Sequence, residues 1–168
     1  MALAAIVTSS DDAILSKTLN GIITTWNAGA HRIFGYEAQE IIGQPILRLI
    51  PGELHHEEEQ ILRRIRAGQR IEHYETTRLT KDGRRVPVSL TISPLKDASG
   101  NIIGASKIAR DITEPKRSEE AIRVLNAQLS ANLSAMTRMQ QISTRLAQAE
   151  DFAQLLNEIV AAGTEIAE

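Results

Sequence analysis

The side chains that could perform chemistry cluster in one acidic segment with two histidines. His55 and Glu59 are one helical turn apart, a spacing at which two side chains can ligate one metal ion. His56 precedes Glu57, a pair that resembles a phosphoacceptor segment, but the basic residue and proline of such segments do not follow. No third metal ligand and no glycine-rich ATP loop can be identified. We therefore predict no catalytic residue and no metal site, and a solvated acidic face that includes Glu57 and Glu58.

Composition excludes further classes of chemistry. The chain has no cysteine, which excludes disulfides, cysteine-ligated zinc and a cysteinyl flavin adduct, and is compatible with a reducing cytoplasm. Its 19 basic and 21 acidic residues give a net charge of -2, which favours neither nucleic acid nor an anionic membrane as a partner. The apolar residues 1–7 are too few to span a bilayer, which needs about 20. We predict a cytoplasmic chain without membrane insertion, with a docking helix over residues 1–8.

Turn residues divide the first third of the chain into short elements. Asn20-Gly21 separates two apolar runs and predicts a β-hairpin, because this pair tolerates the positive φ of a tight turn. Asn27 can cap a brief helix that ends at Gly35. Two further turn-length helices are expected before Pro51.

One amphipathic helix and three strands should follow. The apolar spacing predicts the helix over residues 53–67, with its apolar stripe on a sheet. The strands are predicted at residues 70–81, 84–95 and 101–112. Residues 84–95 show the clearest pattern, since apolar and polar side chains alternate there.

Beyond residue 113 the apolar residues follow the spacing of a coiled coil, alternately three and four. The seam positions are Ile122, Leu125, Leu129, Asn132, Met136, Met139, Ser143 and Leu146. Asn132 and Ser143 are polar, and each has an apolar neighbour, Leu133 and Ile142, that could replace it after a shift of register. A buried Asn can specify register at a cost in stability. We predict a long amphipathic helix that dimerises.

The junction Asp111-Ile112-Thr113 separates these two kinds of pattern. Thr113 can cap the helix that starts at Glu114, which is worth about 1 kcal/mol. Asp111 can accept a charge-assisted hydrogen bond from Lys107 or Arg110. From the residues alone, a cap without signalling meaning and a coupling point are equally open.

Taken in order, seven segments resemble the PAS family of sensory domains over roughly residues 1–115. They are residues 9–14 (SSDDAI), 21–27 (GIITTWN), 33–36 (IFGY), 40–45 (EIIGQP), 81–83 (KDG), 93–97 (SPLKD) and 104–113 (GASKIARDIT). The resemblance is greatest to PAS domains of bacterial multi-domain histidine kinases. It implies an α+β fold, with a five-stranded antiparallel sheet in the order 2-1-5-4-3, short helices on one face and a long C-terminal helix.

The resemblance also implies the domain organisation. A PAS domain is expected over residues 9–113 and a signalling helix, or coiled coil, over residues 114–148. A break at Glu150-Asp151 should separate the helical segment 149–168. This segment is similar to the helix that opens a GAF domain, and we interpret it as the start of a truncated GAF domain or as a segment that folds back.

No cofactor is predicted from the resemblance. Glu58 stands at the position of the haem ligand in haem-binding PAS proteins, and the two histidines lie about one turn earlier. The amides that contact the ring in flavin-binding relatives correspond to Arg78, Val88 and Ser106, none of which is an amide.

The resemblance also places a candidate cavity. Tyr74 and Arg78 share one strand face, expected to line the cavity with Val88, Leu90 and Ser106. A guanidinium there could bind a carboxylate ligand bidentately. Alternatively, Arg78 reaches solvent or pairs with a glutamate on the preceding helix.

These observations predict a non-catalytic sensor or dimerisation module. A signal at the cavity or dimer interface would pass through Asp111 and Thr113 to the coiled coil and then to an output domain, which we expect to be a histidine kinase. The predicted partner is a second copy of the chain, bound through the signalling helix and the docking helix. The alternatives are a receptor for a small carboxylate or aromatic ligand and a haem-based gas sensor.

Overall fold

The chain divides into two units, Met1–Lys116 and Arg117–Glu168. A computed structural model describes Val7 and residues 9–165. The docking helix predicted over residues 1–8 therefore lies outside the described residues, apart from Val7.

The first unit is built on one antiparallel sheet. Its strands are β1 (Ala13–Thr18), β2 (Ile23–Trp26), β3 (Ile71–Leu79), β4 (Arg85–Lys96) and β5 (Ile102–Asp111). Their order across the sheet is β2-β1-β5-β4-β3, so the first and last strands of the domain are neighbours at its centre. The predicted five-stranded fold and strand order are confirmed.

Short helices connect β2 to β3. Helices α1 (Ala28–Phe34) and α2 (Ala38–Ile41) are followed by two 3-10 turns, Ile46–Leu49 and Gly52–Leu54, and by helix α3 (His55–Arg66). Helix α3 presents Ile61 and Ile65 to the sheet, and both are buried. The predicted amphipathic helix is confirmed, with its first residues in a 3-10 turn.

Asn27 links α1 to β1. Its Oδ1 accepts hydrogen bonds from the N–H groups of Ala30 (2.8 Å) and Ile14 (2.9 Å), and its Nδ2 donates to the Asp12 carbonyl (3.1 Å). The helix ends at Gly35, where φ is 79°. The predicted cap at Asn27 and the predicted end of the helix at Gly35 are both confirmed. The same Asn27 side chain also joins the two elements, because it hydrogen-bonds to both.

The core lies between the inner face of the sheet and α1 to α3. Strand β4 shows the alternation most clearly, since Val86, Val88, Leu90 and Ile92 are all buried and the residues between them are not. Phe34, Leu49 and Ile61 cover this face from the helical side.

Helix α4 (Thr113–Glu165) begins in the first unit and forms the described part of the second. The break predicted at Glu150-Asp151 is wrong, because the helix continues through both residues. Neither residue is Gly or Pro, and strong helix formers precede them, so local sequence offers no reason to stop. That residues 149–168 begin a GAF domain stays a prediction.

Gly29 provides a test of the packing of α1 on β1. A Cβ at this position would lie 2.2 Å from the Asp12 carbonyl oxygen, a backbone atom that cannot move aside. Gly29→Ala should lower the free energy of unfolding by about 1–3 kcal/mol, although alanine favours an isolated helix by about 1 kcal/mol. Urea unfolding followed by Trp26 fluorescence measures the change.

Gly52→Ala is the matched control, since nothing lies within 4 Å of its Cβ position. If Gly29→Ala is at least as stable as Gly52→Ala, the close contact between α1 and β1 is wrong.

Candidate functional site

Five charged side chains meet between the sheet and α3. Lys17 of β1, Lys107 of β5 and Arg78 of β3 face Glu57 and Glu58 of α3, and all five are buried. We call this group the inner cluster. It occupies the layer in which the residues pointing inward from a sheet would ordinarily all be apolar.

Strand periodicity places the two lysines inside. Lys17 lies two residues after buried Leu15, and Lys107 lies between buried Ala105 and Ala109. Residues two apart share a strand face, so each lysine is in phase with the apolar residues of its strand. In the β1–β5 register Leu15 pairs with Lys107 and Lys17 pairs with Ala105, which places both ammonium groups on the same side of the sheet. From the sequence, Lys17 was not predicted as a site residue and Lys107 was predicted only as a partner of Asp111, although this phase was an available signal for both.

The prediction of a solvated face for Glu57 and Glu58 is wrong. Both side chains are buried, at 8% and 4% exposure. They fill the gap between Leu54 and Ile61 in the apolar stripe of the helix, because helical residues three or four apart share a face. Glu59, the next residue, is exposed.

Glu58 bridges the two lysines. Its Oε1 accepts a short hydrogen bond from Lys17 Nζ, and its Oε2 accepts one from Lys107 Nζ at 3.1 Å. The single carboxylate therefore joins α3 to both central strands of the sheet.

Glu57 joins α3 to the edge strand β3. Its two oxygens accept hydrogen bonds from Thr76 Oγ1 at 2.9 and 2.8 Å, and Oε2 also accepts one from Arg78 Nη1 at 3.0 Å. Arg78 Nη1 further donates to the Thr77 carbonyl at 2.8 Å. The alternative in which Arg78 pairs with a glutamate of the preceding helix is confirmed.

The two terminal nitrogens of Arg78 differ in their hydrogen bonding. Of the buried side-chain nitrogen and oxygen atoms in the part of the chain that the structure describes, only Nη2 has no hydrogen-bond partner. Arg78 and Lys107 both line a void of about 10 Å³. The remaining wall is apolar and includes Leu15, Phe34, Leu49 and Leu90.

Burial perturbs the titration of the inner cluster. It lowers the pKa of Lys107 to about 7, and the nearby Arg78 contributes to the fall. Burial likewise lowers the pKa of Lys17, assisted by repulsion from Lys107. At the rim, burial and the Glu57 carboxylate raise the pKa of Tyr74. With three basic and two acidic members, the cluster favours a neutral lysine, since an unpaired buried charge is costly.

The predicted cavity residues separate into two groups. Arg78, Val88 and Leu90 are buried on the inner face, and Tyr74 is half-buried beside them. Ser106 is wrong as a cavity residue, because it alternates with Lys107 and points to the outer face, where it pairs with Ser16.

The junction is built differently from the prediction. Asp111 accepts no bond from Lys107, which is buried in the inner cluster, or from Arg110, which pairs with Asp12 at 2.9 Å. Its Oδ1 instead accepts the N–H of Thr113 at 2.8 Å, and the helix starts at Thr113 itself. The capping acceptor that the structure shows at the start of the helix is thus Asp111.

The histidines do not join the cluster. His55 and His56 are exposed, and their ring nitrogens contact the carbonyls of Ile50 (3.1 Å) and Glu53 (3.0 Å). Within residues 7 and 9–165, no group of three or more metal-ligating side chains is assembled.

Comparison with known proteins gives the family. A sequence model of the PAS fold matches residues 2–112. The chain belongs to the PAS family. PAS domains are sensory, non-catalytic modules, and those of histidine kinases often dimerise and connect to output domains. No helix of the described residues is long and apolar enough to cross a membrane.

The relatives of this PAS domain include two-component proteins. It is 36% identical over 114 residues to two-component system protein A of Emericella nidulans, covering 67% of this chain and 16% of that protein. It is 27% identical over 131 residues to the histidine kinase AtoS of Escherichia coli, covering 78% and 21%. The chain therefore matches between about a sixth and a fifth of the length of these relatives. A solved PAS domain from Colwellia psychrerythraea is 29% identical, with a TM-score of 0.62 over 67% of this chain and 96% of that domain.

The interior does not fit the large cofactors that some PAS domains bind. The void beside Arg78 has about 10 Å³, close to the minimum cavity volume that holds one water molecule. Salt-bridged side chains fill the layer between α3 and the sheet, and Glu58, at the haem-ligand position, is engaged by two lysines. Neither a haem nor a flavin can enter without breaking these pairs.

The pKa of Lys107 predicts how stability depends on pH. Between about pH 7 and pH 10.5 the folded domain has released this proton and the unfolded chain retains it, so unfolding takes up a proton. The free energy of unfolding should therefore rise with pH across this window. Lys107→Met should reduce the rise, and the remaining slope should come from Lys17, whose pKa is also lowered by burial. Urea unfolding at several pH values measures the change.

Lys96→Met, which removes an exposed lysine, should leave the slope of the wild type unchanged. Equal slopes for Lys107→Met and the wild type would contradict the assignment.

Proposed function

We propose that this chain is a PAS sensor and dimerisation module that relays a signal through α4 to an output domain, a histidine kinase, in the cytoplasm. The main support is the exposed seam of a helix that starts directly after the last strand of the sheet. The relatives named above support the choice of output domain.

The seam needs a partner. Its large apolar side chains are more than half exposed, with Leu125 at 63% and Leu129 at 58%. Soluble proteins rarely expose so many large apolar side chains along one face of a helix. A second copy of the chain fits best, because a period of 3.5 residues keeps the same stripe facing an identical helix.

Three contacts attach the first turn of α4 to the sheet. The Asp111 carboxylate accepts the N–H of Thr113, and the N–H of Ile112 donates to the Pro87 carbonyl of β4 at 3.1 Å. Lys116 forms an ion pair with Glu75 of β3 at 2.7 Å. A movement of β3 or β4 would therefore displace the start of the helix.

Strand β3 connects the interior to this junction. Thr76 and Arg78 bind Glu57 on its inner face, and Glu75, the residue between Tyr74 and Thr76, points outward to Lys116. A change at the inner cluster would shift β3 and alter the position of the first turn. Asn132 and Leu133 compete for one position of the seam, so the coiled coil could adopt two registers, and these would be the two states that a switch requires.

The dimer is tested by substitution in the seam. Leu129→Lys places a charge in the centre of the proposed interface and should weaken dimerisation at least tenfold, because a buried unpaired charge costs several kcal/mol. Sedimentation equilibrium of residues 1–168 measures the dissociation constant.

Gln141→Lys is the control, because it adds the same charge to the same helix between seam positions 139 and 143, on the opposite side. A monomeric wild type, or equal dimerisation of the two variants, would disprove the coiled-coil dimer.

The relay is tested at Asp111. In the full-length protein, Asp111→Ala should reduce the signal-dependent change in kinase autophosphorylation and lower domain stability by only about 1 kcal/mol, the value of one capping bond. Asp97→Ala is the control, since Asp97 also accepts backbone N–H groups, from Ser99 and Asn101, in a turn remote in sequence from α4. A signal response as large in Asp111→Ala as in Asp97→Ala would count against the relay.

A second candidate function, a receptor for a small carboxylate, is favoured by the unpartnered Nη2 of Arg78 beside the inner void. An aromatic ligand is not supported, because the void is too small for a ring. A stoichiometric acid recovered from denatured protein and identified by mass spectrometry would support this candidate.

A further inference from the structure

The inner cluster has a donor without an acceptor. Arg78 has 4% side-chain exposure, its Nη1 is fully engaged, and its Nη2 has no partner. A buried N–H donor without an acceptor costs free energy comparable to a lost hydrogen bond. The void is lined by Arg78 and Lys107 and by no carboxylate. Both polar groups at this void are therefore basic.

The charges of the cluster do not balance. Glu57 is paired with Arg78, and Glu58 alone serves both Lys17 and Lys107. If every member is ionised, one positive charge is left over in a buried site. The cost is avoided either by a neutral lysine or by an anion in the void.

We propose that the void binds a small monoanion against Arg78 Nη2 and Lys107, and that the Lys17–Lys107 pair takes up one proton when the anion binds. This inference rests on the second candidate of the proposed function and specifies both its ligand class and its regulation.

The size of the void sets the ligand class. About 10 Å³ is close to the minimum that holds one water molecule, so the ligand is a halide or an anion of few atoms, such as formate, and the wall of the void must shift slightly to admit it. A larger carboxylate would have to displace Phe34 or Leu49 from the wall. Water could accept the Nη2 hydrogen bond but would leave the extra charge uncompensated.

The proton balance follows from the groups that face the void and the lysines. They are Lys17 on β1, Tyr74 and Arg78 on β3, Lys107 on β5, and Glu57 and Glu58 on α3. In the empty site one lysine is a neutral amine. The anion enters, a proton from solvent binds that amine, and the site then holds three cations and three anions. Burial lowers the pKa of both lysines, and Lys107 lowers that of Lys17 further by repulsion, which is consistent with a neutral amine in this pair at pH 8.

Calorimetric titration of the 168-residue chain tests both the binding of the anion and the uptake of the proton. Bromide and formate are the probes and gluconate, which is too large to enter, is the control at equal ionic strength. The titration is done at pH 8 in halide-free HEPES and in halide-free Tris, which differ in ionisation enthalpy. The difference between the two heats of binding gives the number of protons taken up. We expect about one proton per anion, and an affinity that falls roughly tenfold per pH unit above pH 8.

Arg78→Lys identifies the site. It keeps a cation for Glu57 and removes Nη2, so it should abolish anion binding. Arg84→Lys is the control, since this exposed guanidinium pairs with Asp82. If Arg78→Lys fails to fold, wild-type crystals grown in bromide provide the same evidence, and an anomalous peak is expected beside Arg78 Nη2.

The outcomes separate the hypotheses. An ordered water in the void with no bromide peak and no heat of binding would overturn both this inference and the small-carboxylate receptor. Binding without proton uptake would overturn the coupling and leave the receptor intact. Neither result affects the dimeric relay, which depends on the Leu129→Lys experiment.

Discussion

A single carboxylate, that of Glu58, accepts hydrogen bonds from Lys17 on β1 and Lys107 on β5. These strands are neighbours at the centre of the sheet, and Glu58 lies on the helix that covers them. The positions of the other residues on the inner face depend on this interaction, because it fixes the helix against the two strands. Removal of the Glu58 carboxylate would leave buried lysines without a partner, and breaking a buried ion pair in this way typically costs 3–5 kcal/mol, whereas replacing a whole buried ion pair by apolar residues is often neutral. The charges therefore constrain how α3 and the sheet fit together more than they add to stability.

The same constraint connects the interior to the outside of the domain. Glu57, next to Glu58, binds Thr76 and Arg78 on β3, so both central strands and one edge strand depend on one turn of α3. On its outer face β3 carries Glu75, the partner of Lys116 in the first turn of α4. The relay that we propose needs a physical connection between the inner cluster and the first turn of α4, and β3 has contacts with both.

Local signals in the sequence predicted most of the architecture. Turn residues such as Asn27 and Gly35 act through their own backbone geometry, and the alternation in β4 and the spacing in α4 are properties of neighbouring residues. The site was predicted less well. Arg78, Val88 and Leu90 were placed on the inner face, but Ser106 was chosen where Lys107 is correct, because a one-residue error in phase exchanges the two faces of a strand. Glu57 and Glu58 were assigned to solvent on their charge, although their helical positions lie within the apolar stripe.

The sequence by itself determined the order of the elements, the family, and the long helix with its regular apolar seam, because each depends on residues close together in the chain. Only the tertiary structure decided the partners of the buried charges. Lys17 and Glu58 are 41 residues apart and Lys107 and Glu58 are 49 apart, and no local pattern relates them. The bond between Asp111 and the Thr113 N–H is local, but the tertiary structure decided that Lys107 and Arg110 pair with other carboxylates and not with Asp111. A buried charge pairs with whatever opposite charge the fold brings within reach, and that is a property of the assembled domain.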